Sequence, residues 1–106
     1  MTISEVVRGH ITAKERGDEK MKVTNMRTCG GRPAANQFRI WTDDEQTFQS
    51  YNSKIATKAN DGTVTLYEPY WDFYSATTNR YLLQFLNEES IRDVRVKVAS
   101  GVYLVE

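Results

Sequence analysis

Side chains able to do covalent or acid–base chemistry are scarce in this sequence. It holds one histidine, His10, and one cysteine, Cys29. A thiol nucleophile needs a base beside it, and a structural zinc site needs four ligands. One His and one Cys make neither the usual catalytic triads nor a zinc centre. Glu68 and Asp72 flank an aromatic cluster and are the one candidate acid–base pair, although Asp72 is more simply read as bonding the turn that leads to Ser75. Asp43, Asp44 and Glu45 place three carboxylates in a row. A hard cation needs them to converge, and successive residues along a turn point apart. Cys29-Gly30-Gly31-Arg32-Pro33 offers a glycine pair for an anion-binding nest. It lacks the lysine and hydroxyl residue of a phosphate-binding loop, so a plain linker is the simpler reading. No dinucleotide glycine motif is present. The sequence therefore predicts a non-enzymatic protein with no cofactor and no metal.

Binding chemistry is better represented. Residues 66–87 concentrate Tyr67, Tyr70, Trp71, Phe73, Tyr74, Tyr81 and Phe85. So many rings cannot all point inward from one short corner, and those left outside make a surface of the kind that anchors interfaces. Trp41 and Tyr51 are candidates to join them, with Asp43 and Asp44 as an adjacent acidic rim. The competing demand is the core itself, which in a small domain needs large residues and claims at least half of them. The candidate contact set is Trp41, Asp43, Asp44, Tyr51, Tyr70, Trp71 and Tyr74.

At 106 residues the chain has room for one domain, 1–106, with one core. Fourteen basic and fourteen acidic side chains cancel. Such a chain has no general pull toward DNA or an anionic membrane. The charge is uneven along the sequence. Residues 1–35 carry seven basic and four acidic side chains, whereas residues 36–76 carry three basic and six acidic. A single cysteine excludes an internal disulfide framework, and no apolar run has the length of a signal peptide or a membrane span. These features predict a cytoplasmic protein.

Elements able to position the candidate residues follow from pattern. The basic segment 1–35 is the least legible: it reads as a hairpin pairing 10–14 with 20–24, or as a helix over 12–22 weakened by Gly17. Residues 36–42 alternate, with Phe38 and Ile40 on one face and Arg39 and Trp41 on the other, and 47–51 is their partner strand. Asn60-Asp61-Gly62, between 54–59 and 63–67, is the strongest hairpin signal, because these residues tolerate the positive φ of tight turns. Pro69 keeps Glu68 extended, and the hydroxyls of Ser75, Thr77 and Thr78 offer helix caps. Thr78, Tyr81, Leu82, Phe85 and Leu86 then recur at helical spacing. Val94, Val96 and Val98 alternate as in a strand, but the capping box at 90–93 favours a helix over 91–99, closed at Gly101 and followed by a strand at 102–105. The expected fold is α+β: an antiparallel sheet of about four or five strands, packed by a helix over about 77–87 and a second short helix over about 91–99.

Three stretches resemble a known pattern: Asn36-Gln37-Phe38, the run FQSYNSKIA at 48–56, and YWDFYSATT at 70–78 with YLLQFL at 81–86. They are similar to a family of small uncharacterised proteins encoded by bacteriophages and mobile elements, in which the pattern runs FQSYNSxIA…YWDYSxTTxxYxxQFL. Phe73 is an extra residue relative to it. The resemblance spans about 36–101. It transfers no activity and no catalytic residue, but it implies a setting in which small cofactor-free proteins act by binding. The expectation is a phage-type protein that binds and modulates or inhibits a host protein, an anti-defence inhibitor of the anti-CRISPR kind. Two alternatives stand beside it. One is a single-stranded nucleic-acid binder, stacking bases on Trp41, Tyr51 or Tyr70 with Arg27, Arg32, Arg39 and Lys54 along the phosphates. The other is a self-associating structural component, such as a homodimer.

Overall fold

The computed structural model describes residues 21–106. The expected hairpin between 10–14 and 20–24, and the rival helix, fall mostly outside that range; from Lys22 the chain is strand. Five strands run in sequence, β1 (Lys22–Arg27), β2 (Pro33–Trp41), β3 (Glu45–Ser50), β4 (Ser53–Ala59) and β5 (Val64–Leu66). Two helices follow, α1 (Ala76–Leu86) and α2 (Ile91–Ala99), and then β6 (Tyr103–Val105). The strands form one sheet in the order β1-β2-β3-β4-β5-β6. All neighbours are antiparallel except β5 and β6, which are parallel. The α+β reading holds, and the described sheet has six strands where four or five were expected. The extra member is β1: it pairs with β2, with Val23 opposite Ile40.

Turn chemistry explains the meander. At the Asn60-Asp61-Gly62 turn the Asp61 carboxylate accepts the Thr63 N–H at 2.9 Å, and Gly62 takes φ 95°. An L-residue there would be strained, which is why glycine suits the position. Parallel β5 and β6 require a long crossover. Residues 67–102 supply it and carry both helices, beginning with a cis Glu68–Pro69 bond.

Each helix begins on a serine cap. Ser75 Oγ accepts the Thr78 N–H at 3.0 Å, and Ser90 Oγ accepts the Asp93 N–H at 3.2 Å. Asn87, at φ 60°, ends α1 in the left-handed conformation. The buried residues of α1 are Thr78, Tyr81, Leu82, Phe85 and Leu86, the set the helical spacing predicts. They pack on the sheet face that carries Phe48, Ala56 and Leu66, directly opposite one another across β3, β4 and β5. Arg39 stands opposite Phe48 and so faces the helix, while Phe38 and Ile40 face the other way. Val94 of α2 and Tyr103 of β6 complete the same cluster. Among the described residues no helix is long and apolar enough to cross a membrane.

Candidate functional site

The three stretches that carry the sequence resemblance meet at one corner. The Tyr51 N–H donates to the Asn36 carbonyl at 2.7 Å, joining the β3–β4 turn to β2. Ser50 and Thr78 share a hydrogen bond of 3.0 Å between their hydroxyls, joining the same turn to α1. Ser75 donates its hydroxyl to Thr78 Oγ1 at 3.0 Å while accepting the Thr78 N–H, so a chain of three hydroxyls pins the start of α1 to the end of β3. Gln37 stands opposite Ser50 and is only 1% exposed. Neither polar atom of its side chain has a partner among the described residues.

Backbone strain gathers here as well. Asn36, Tyr51 and Phe73 have φ of 62°, 54° and 56°. Left-handed conformations are costly for residues with a Cβ, Asn excepted in part, and they persist where the surroundings over-determine them. Phe73 is one of the three and sits between the enclosed Trp71 and the exposed Tyr74.

Between the β3–β4 turn and the start of α1 lies an open groove of about 490 Å³. Hydroxyls line it, from Ser50, Ser53, Ser75, Thr77 and Thr78, with Ile55 as an apolar patch. Tyr51 and Tyr74 form its aromatic walls, 56% and 60% exposed, and Phe73 beside Tyr74 is 50% exposed. Tyr70 steadies Tyr74 edge-on, with ring centroids 5.0 Å apart. Among the described residues the lining has no charged side chain. Such a lining offers ring contact and hydrogen bonding.

The candidate residues divide into three groups. Tyr51, Tyr70 and Tyr74 come together at the groove. Trp71 does not belong with them: it is 6% exposed, packs in the core and donates its indole N–H to the Glu68 carboxylate at 3.0 Å. Trp41, Asp43 and Asp44 lie at the opposite end of β3, a separation of roughly 17 Å for five strand steps. The acidic turn is thus not the rim of the aromatic corner. Asp43 and Asp44 are exposed, and their backbone carbonyls accept from Asn60. Of the candidate acid–base pair, Glu68 accepts from the Trp71 indole and Asp72 is bonded to Arg95 at 2.7 Å. Among the described residues no group of three or more His, Cys, Asp or Glu side chains is placed to hold a metal.

Sequence reading missed the hydroxyl lining and Phe73. A signal was available for the first, since Ser50, Ser53, Ser75, Thr77 and Thr78 sit inside two of the three resembling stretches. A protein-family model described as a family of unknown function (DUF8033) matches residues 21–100. Comparison with curated proteins and with solved structures returned no match.

Proposed function

We propose, for a chain that belongs to the family of unknown function DUF8033, a non-enzymatic binding role in which the groove between Tyr51 and Tyr74 docks a protein partner. One observation carries this reading: Tyr51, Phe73 and Tyr74 stand half or more exposed around an uncharged, hydroxyl-lined groove whose backbone is held in a fixed, strained shape. Tyrosine with serine is the chemistry of antibody paratopes. Tyrosine gives large contact area at low entropic cost, and short hydroxyls adapt to the partner's polar groups. A partner segment that is apolar and hydrogen-bonding, rather than charged, fits this surface. In the phage setting that the sequence resemblance implies, the partner is a host protein whose activity the bound chain modulates or blocks, in the cytoplasm of a bacterial host.

The test is capture of partners by the tagged full chain from a bacterial host lysate, with nuclease-treated and untreated halves compared. A stoichiometric protein that survives nuclease and is lost from a folded Tyr51→Ala/Tyr74→Ala variant supports the reading. A partner retained equally by that variant overturns this surface. Loss of every partner on nuclease treatment replaces the reading with nucleic-acid binding.

A further inference from the structure

A second arrangement, at the far end of α1, is independent of the groove. Lys22, Trp41, Gln46 and Lys58 are directly opposite one another across β1, β2, β3 and β4, on the face that α1 covers. Arg39 is two residues before Trp41 and shares that face. The Arg39 guanidinium lies 5.0 Å from the centroid of Phe85, and the Lys58 ammonium lies 5.2 Å from the same centroid. Arg39 is also 6.0 Å from the Trp41 ring, over which Lys22 sits at 5.0 Å. Beside Lys22 and Trp41 opens a shallow pocket of about 220 Å³, with Thr42 and Asp43 at its rim.

We propose that Arg39 and Lys58, with Lys22 at the margin, form an oxyanion site that takes a phosphate group, with Trp41 beside it. Both half-buried cations crowd one ring, yet among the described residues neither has a carboxylate within ion-pair distance; the ion pairs there are Arg95 with Asp72 and Lys97 with Glu88. Their hydrogen bonds go to neutral acceptors. Arg39 donates to Gln46 Oε1 at 2.9 Å, and Lys58 donates to the Phe85 carbonyl at 3.1 Å. A guanidinium has five N–H donors and an ammonium three, so most remain for a ligand. Burial lowers the pKa of both side chains, and the Arg39 charge lowers Lys58 further. Desolvation is the larger cause, and the like charge of Arg39 adds to it at Lys58. Cation–π attraction offsets part of the cost, and a bound oxyanion would offset it more directly. Phosphate rather than carboxylate follows from the spare donors of a guanidinium beside an ammonium, which suit a group with three or more acceptor oxygens.

The source of the phosphate is either a mononucleotide or a single-stranded nucleic-acid backbone. Tryptophan fluorescence of the full chain, titrated with inorganic phosphate, adenosine monophosphate, a ten-residue oligothymidylate and polyglutamate, tests the proposal. Phosphate-bearing probes are expected to bind, with a loss of about tenfold or more in R39Q and in K58Q, a smaller loss in K22Q, and no change in R92Q, which removes an exposed cation from α2. R39K should recover part of the binding. If the oligonucleotide binds more tightly than adenosine monophosphate, log K should fall with log salt at a slope between about −1.4 and −2.1, for two or three neutralised phosphates. Should K58Q fail to fold, K22Q and R39Q carry the test, because Lys22 is exposed and Arg39 is not a helix cap. No binding by any phosphate probe overturns the site. Equal binding in R39Q overturns it, and equal affinity for polyglutamate overturns the assignment of phosphate.

Discussion

Trp71 and Tyr74 are three residues apart and have opposite roles. Trp71 is enclosed and hydrogen-bonded to Glu68, whereas Tyr74 stands in solvent against Tyr70. Truncating Trp71 to alanine should cost about 3–5 kcal/mol in stability, read as a lowered urea midpoint. Truncating Tyr74 should cost about 1 kcal/mol or less in stability, while costing about 2 kcal/mol or more of partner binding. A Tyr74→Ala variant as unstable as Trp71→Ala would place Tyr74 in the fold rather than in the interface. Phe73 gives a further prediction at this scale. Glycine at its φ of 56° relieves a left-handed strain of about 1 kcal/mol and removes a half-exposed ring. Phe73→Gly is therefore expected to match or exceed the parent in thermal stability while binding the partner more weakly. The expectation that the corner holds more rings than it can bury matches the exposure of Tyr51, Phe73 and Tyr74, whereas Tyr70 is partly buried against the core. The sequence could not say which ring turned inward, since the left-handed step at Phe73 sets the rotation of its neighbours and no composition rule marks that step.

The elements were more legible than the site. Helix α1 followed from five apolar or hydroxyl positions at helical spacing, and all five are buried. The ambiguous segment 91–99 resolved as the capping box suggested. Ser90 caps it, Val94 is buried, Val98 packs on the core, and Val96, the residue a strand would have aligned with them, is exposed. What the pattern could not supply was the partner of each strand over a distance. The β1–β2 and β5–β6 pairings depend on a bulge between Asn25 and Arg27 and on a crossover through both helices, neither of which leaves a local signature. The two caps lend themselves to a comparison. Ser90 makes its cap bond at an exposed site, whereas Ser75 also donates to Thr78 within the hydroxyl chain that reaches Ser50. Ser90→Ala should cost about 1 kcal/mol by urea denaturation, the usual value of a cap. Ser75→Ala should cost more, because it also leaves the Thr78 hydroxyl with one partner fewer. Equal losses would mean that the hydroxyl chain adds nothing to the cap.

At the scale of the whole molecule, the long crossover must be closed so that β6 can lie beside β5. One buried carboxylate does this. Glu88, just beyond α1, has a side chain only 8% exposed; it accepts from Lys97 of α2 at 2.6 Å and from the Tyr103 hydroxyl of β6. Burial alone raises the Glu88 pKa, but the bonds from Lys97 and Tyr103 and the charge of Lys97 outweigh it, and the net pKa is lowered. Burial, and then the bond and charge of Glu88, raise the Tyr103 pKa above its ordinary value. The signs fix the pH window. A carboxyl with a folded pKa below its unfolded value stabilises the fold above about pH 4.3 and loses that contribution as pH falls through the folded value. A phenol with a raised pKa contributes fully below about pH 10 and loses its contribution only as pH rises through the folded value. Glu88→Gln keeps the shape but removes the charge, and at pH 7 it should cost about 1–3 kcal/mol. Lys97 is partly exposed, so solvent screens its share and the phenol bond carries more of the effect. In urea melts across pH 2 to 9, the gap between parent and variant should be constant from pH 6 to 9 and should close as the pH falls below about 4. A gap that persists undiminished at pH 2 would mean that the Gln side chain disturbs packing, and that the charge on Glu88 does not hold the crossover.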